Sequence, residues 1–208
     1  MNNLAYGNQQ ADKVGAQVEE KLRKDIGATA PVPYQVEAGN AAATSTATVL
    51  GDVTKGLFGG RPDRLFTLVF DLSSPRPAQL RASVDRQGVG CHVSQLLYSA
   101  QLSKKVAGEV SLDPPKMFGG SKFSGDAPTA GKLNAKGDLL KRLGKLVRDE
   151  AEIGGLTIHG ERLLRVAPSD GGSLVLLSTL PRPTSMGMDA SLDAKEFFDV
   201  LGMLEAAL

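Results

Sequence analysis

Tryptophan is absent from this 208-residue chain, cysteine occurs once, histidine twice, and aromatic residues make up 5% of the total. Each shortage closes off a class of protein. A lone Cys91 cannot form an intramolecular disulfide, so the fold must rest on packing, and the address this suggests is the reducing cytoplasm. Cys91, His92 and His159 are the only thiol or imidazole metal ligands. Adjacent residues on a strand point to opposite faces, so Cys91 and His92 do not share an ion there, and a structural zinc site lacks its ligands. Nucleophilic catalysis suffers from the same scarcity, because a Cys91/His159 or Ser/His159 pair has no local signature such as GxSxG behind it. No apolar run approaches the roughly 18 residues that announce a transmembrane helix. The first residues, MNNLAYGNQQADKVGAQ, also lack the basic-then-apolar order of a secretory signal.

Glycine is plentiful, but GLFGGRPDR and FGGSKFSGD lack the GxxxxGK[ST] spacing and do not join a strand to a helix N-terminus, so no nucleotide loop is expected. Asp170, Asp189 and Asp193 stand where turns and caps use aspartate for structural reasons. The expectation is a protein that is not an enzyme and holds neither cofactor nor metal.

What is present is an ordinary globular balance, 41% hydrophobic and 23% charged, with a core to be built mostly from Leu, Val and Ala. Charge is unevenly spread. The total is +1, yet residues 55–148 hold 16 basic and 7 acidic side chains while residues 149–208 hold 4 and 10. Either the two parts face each other within one fold, or subunits associate head to tail, or the basic middle meets an anionic partner.

Along the chain, Val14, Val18, Leu22 and Ile26 recur at four-residue intervals over residues 8–26, the narrow apolar stripe of an amphipathic helix. Gly27 ends it, and Pro31 and Pro33 keep the next residues extended. So narrow a stripe suits a surface, the chain's own or a partner's. Residues 27–63, with GNAAATSTATVL at their centre, offer little apolar surface against the cost of ordering them and read as a linker or arm. LFTLVFDL (65–72) and LRASVDR (80–86) alternate as half-buried strands around the loop SSPRPAQ, with an arginine-bearing outer side. Residues 91–106 fit either a helix or a strand, and 113–131 form a Pro/Gly-rich connection. Leu139, Leu140, Leu143, Leu146 and Val147 mark a core-facing helix over 134–151. Strands LTIHG, RLLRVA and SLVLLSTL come next, then a closing helix carrying Phe197, Phe198, Leu201 and Leu204, with Ser191 or Asp193 as N-cap. LSSPRPAQL and LSTLPRPTSM echo each other faintly.

The fold class expected is α+β: small antiparallel sheets with flanking helices, a C-terminal α-β-β-β-α unit, and an N-terminal helix with an extended arm. The division is 1–63 (helix and arm), 64–131 (β-rich basic region) and 132–208 (α-β-β-β-α). Opposite charge in successive segments, an arm and a narrow-striped helix point to a non-catalytic subunit of a multi-protein assembly. Its partners are expected to be proteins or further copies of itself, with Val14, Val18, Leu22 and Ile26 as the contact stripe. The alternatives are a chaperone-like binder and a nucleic-acid binder that uses Arg76, Arg81, Arg86, Lys141, Arg142 and Lys145 as an anion-binding set.

Overall fold

The fold, taken from a computed structural model, is described for residues 3–38, 64–87, 90–113, 120–146, 150–153, 156–159, 163–179, 182–184 and 187–208. The alternating run at 65–72 forms β2 (Arg64–Leu72), which pairs antiparallel with β3 (Ala78–Gln87) across the proline-bearing loop. Residues 90–102 form a strand, β4 (Gly90–Leu102), with Leu96, Tyr98, Ala100 and Leu102 all buried on one face. That period of two excludes the helical alternative.

Around this trio grows one antiparallel sheet of eight strands, in the order β1-β2-β3-β4-β10-β9-β5-β6. It takes in β1 (Tyr34–Ala38), β5 (Val110–Asp113), β6 (Lys122–Gly125), β9 (Leu163–Ser169) and β10 (Gly172–Thr179). Two short ribbons stand apart from it, β7 (Glu150–Ile153) with β8 (Leu156–His159), and β11 (Arg182–Thr184) with β12 (Gly187–Ser191). The α+β class is therefore found, with most of the expected small sheets merged into one. Strands come to it from all three segments of the sequence division, and one hydrophobic cluster joins residues of all three. The two PRP segments do not occupy equivalent places. The first makes the β2–β3 turn, and of the second the described residues Arg182–Thr184 form β11.

Four helices are described: α1 (Asn3–Ile26), α2 (Ala127–Asn134), α3 (Gly137–Leu146) and α4 (Ala194–Ala207). Their apolar residues share the cluster with Phe66, Leu68, Phe70, Leu80, Ala82, Leu96 and Tyr98, so the core lies between the helices and one sheet face. The helix expected over 134–151 is shorter. It begins at Gly137 after the separate short α2, which Asp126 caps by accepting the Thr129 N–H at 3.1 Å, and residues 150–151 already belong to β7. The expected connection at 113–131 likewise contains β6 and the start of α2.

The second sheet face departs furthest from expectation. Thr67, Ser83 and Asp85 are buried rather than outward and wet, alongside Val69, Leu97, Leu176 and Ala167. In β10 the run SLVLLST is itself apolar on successive residues, the pattern of a strand hidden on both faces.

Candidate functional site

The sheet has two edges, and the chain treats them differently. At the β6 edge, Asn134 at the end of α2 turns its side-chain amide onto Phe123. Its Oδ1 accepts the Phe123 N–H at 2.7 Å and its Nδ2 donates to the Phe123 carbonyl at 2.9 Å. A side chain thus imitates a neighbouring strand at the outward backbone groups of a four-residue β6, which is one way of protecting an edge.

At the opposite edge lies β1, and no described strand flanks its outer side. Its position is set from the sequence upward. Gly27, at φ +66, ends α1, with the Ala28 N–H returning to the Arg23 carbonyl at 2.9 Å. Pro31 and Pro33 hold the chain extended, and the Val32 N–H between them donates to Glu19 Oε1 at 3.0 Å, tying the strand's entry back to the helix. The Tyr34 ring then lies 5.2 Å from Phe70 and covers Gly15 of α1, where any Cβ would come within 2.4 Å of the phenol. In register, Tyr34 opposes Phe70 and Val36 opposes Leu68. Leu68 is fully covered, whereas Val36 is 45% exposed and is the one large hydrophobic side chain left exposed among the described residues. Behind it, Glu37 is ion-paired with Arg81 of β3.

The predicted partner stripe lies elsewhere. Val14, Val18 and Leu22 are buried in the chain's own core and Ile26 packs at its margin. Of the two surfaces that suit the stripe, these residues cover the chain's own: α4 and the β1–β2 end of the sheet meet it, and a helix needs only such a stripe when other helices share the cover. Of the arm at 27–63, residues 27–33 are the turn and extended residues that lead into β1, residues 34–38 are β1, and residues 39–63 lie outside the described set.

The predicted anion-binding set is not gathered into a free basic surface. Arg76 Nη1 lies 2.7 Å from Glu205 Oε2. Arg142 Nε reaches Glu196 Oε1 at 2.5 Å, and its Nη2 reaches Asp199 at 2.7 Å, with Lys195 adding a second cation there at 2.8 Å. Arg81 holds Glu37. Arg86 and Lys141 are exposed, and the side chain of Lys145 lies outside the described residues. Arginines of the basic middle are thus neutralised by carboxylates of the acidic C-terminal segment, in one fold. The hydrogen bonds and the two cations hold the Asp199 carboxyl below its usual range. For Glu205, hydrogen bonds from the Ser103 hydroxyl and backbone N–H, then Arg76, bring the carboxyl down to about 2.

Two of the polar clusters among the described residues hold titratable or unsatisfied buried groups. Where α4 begins, Asp193 has φ 56 and its side chain makes no cap. Asp25, from the last turn of α1, accepts the Ala194 N–H instead, and burial nevertheless raises its carboxyl. Beside them the Tyr98 hydroxyl donates to the Leu192 carbonyl at 2.7 Å, its ring stacked 4.7 Å from Phe197. Burial, and then Asp25 and Asp193, hold the phenol well above its ordinary range, so it stays a neutral donor. This constellation joins α1, β4 and α4. On the second sheet face Gln95 Nε2 donates to Ser178 Oγ at 2.9 Å, while Gln95 Oε1 and Ser83 Oγ have no hydrogen-bond partner among the described residues.

Among the described residues no group of three or more His, Cys, Asp or Glu side chains is placed to hold a metal ion. Cys91 is half-buried beside Gln10, burial raising its thiol, and His92 is exposed opposite Asp85; the His159 side chain lies outside the described residues. No helix of the described residues is long and apolar enough to cross a membrane. Comparison with family models, curated proteins and solved structures finds no match for the chain. Sequence reasoning missed the β1 edge because residues 34–38 sit inside a stretch read as arm; the alternation of Tyr34, Val36 and Ala38 against Gln35 and Glu37 was the available signal.

Proposed function

We propose that this protein is a non-catalytic interaction subunit that joins a protein assembly through the β1 edge of its sheet, working in the cytoplasm. The observation that carries the reading is the asymmetry of the two edges: Asn134 closes the backbone at β6, while β1 presents an outer side flanked by no described strand and the exposed Val36 at its centre. An edge strand of that kind accepts an extended segment by main-chain hydrogen bonding, with alternate side chains giving specificity. The pairing of Arg76 and Arg142 with C-terminal carboxylates favours this reading over a nucleic-acid binder, because cations already neutralised release few counterions from phosphate.

The test is affinity capture with full-length protein, treated with nuclease and washed at low and moderate salt, beside a Val36→Lys bait. Protein retained by the wild type and lost from the Val36→Lys bait, and unaffected by nuclease, is the expected result. Equal retention by both baits, or retention only of nucleic acid that leaves with salt, overturns it.

A further inference from the structure

We infer that the occupant of the β1 edge is a second copy of β1, paired antiparallel about a two-fold axis through Val36; this rests on the edge reading above. A two-fold interface must be complementary to itself, and the five residues of β1 meet that condition in the register centred on Val36. With Val36 opposite Val36 of the second copy, Tyr34 faces Ala38, and Gln35 faces Glu37. Each carboxylate then lies across from an amide donor, and no like charges are opposed. Centring on Glu37 sets two carboxylates against each other. Centring on Gln35 brings Glu37 opposite Pro33, which has no N–H to contribute. The Val36 register also covers the exposed apolar side chain with its own copy. Glu37 keeps its orientation through Arg81, and Tyr34 through Phe70 and Gly15, so the edge is held in shape before pairing. A five-residue pair buries far less than the roughly 1,200 Å² at which stable interfaces begin, so the pairing is weak and reversible.

The experiment is cysteine crosslinking in a Cys91→Ser background under mild oxidation. In the inferred register the two Val36 positions are directly opposite, within about 4.5–5.5 Å Cα to Cα, which a disulfide spans. The two Gln35 positions are offset by a diagonal of more than about 7 Å, which it does not. Val36→Cys is therefore expected to form covalent dimer roughly tenfold or more faster than Gln35→Cys alone, and Gln35→Cys is expected to crosslink with Glu37→Cys when the two are mixed. Light scattering of the reduced Val36→Cys chain, and of wild type, tracks mass against concentration and checks that the variant is folded and associating. Equal rates at Val36 and Gln35, or a wild-type chain that stays monomeric at high concentration, overturn the inference. If capture by the wild type remains sensitive to Val36→Lys in those cases, the edge still binds protein and only the homotypic register fails.

Discussion

Asn134 and Phe123 exchange two hydrogen bonds, at 2.7 and 2.9 Å, that would belong to a ninth strand if one were present at that edge. The amide is the side-chain group that matches a backbone N–H and C=O at once. Asn134→Leu keeps the γ-branched shape and removes both bonds from the backbone of the buried Phe123, so a loss of about 1–3 kcal/mol is expected. Urea unfolding measures it, and a midpoint unchanged from wild type would show that water replaces the amide without cost.

Gly15 lies under the Tyr34 ring. In most helix interiors Gly→Ala stabilises by about 0.5–1 kcal/mol, but here the new methyl meets the phenol at 2.4–2.5 Å. The atoms met are the far end of the half-buried Tyr34 ring, which can turn aside, so Gly15→Ala is expected to forfeit the usual gain and to cost about 0–1 kcal/mol, and pairing it with Tyr34→Ala should restore that gain. Thermal melts of the two single variants and the double variant form the check, since residues in contact are the ones that depart from additivity.

The Tyr98 hydroxyl is the buried donor to the Leu192 carbonyl just ahead of α4. Tyr98→Phe leaves that carbonyl unsatisfied while keeping the stack on Phe197, at an expected cost of about 1–3 kcal/mol. Chemical denaturation measures it, and a neutral result would show the carbonyl finding another donor.

Much of this was legible in the residues. Period-two runs located β2 and β3, the Leu139–Leu143–Leu146 series located α3, and Phe197, Phe198, Leu201 and Leu204 located α4. Gly27 marked the end of α1. Hidden from sequence were the contacts between distant segments. Asp193 is at the N-cap position by spacing, yet Asp25, from the other end of the chain, supplies the carboxylate. The buried valines of α1 looked too few for a core because the neighbours that complete it, α4 and the sheet, are remote in sequence. The charge asymmetry was plain, and its resolution into Arg76–Glu205 and Arg142–Glu196 needed the fold.

Glu205 gives a pH dependence whose sign is set by its depressed carboxyl, about 2 against an ordinary 4.5. The unfolded chain binds the proton first as pH falls, so the stabilisation is complete above about 4.5 and is lost as pH drops from there toward 2. Glu205→Gln should therefore lower the melting temperature at neutral pH, with the difference from wild type closing across that window. A difference that stays constant from neutral pH down to the foot of that window would count against the Ser103 and Arg76 contacts as its source.

The central claim is that another protein strand completes the sheet at β1, and amide hydrogen exchange at residues 34–38 tests it most directly. The exchange is to be followed in dilute protein and in the assembled state. The outward-facing N–H groups of β1 are predicted to exchange quickly when dilute and to be protected on assembly, and Val36→Lys is predicted to abolish that change. Protection that is the same in both states, or an assembly that forms while these amides remain fast, would contradict the account.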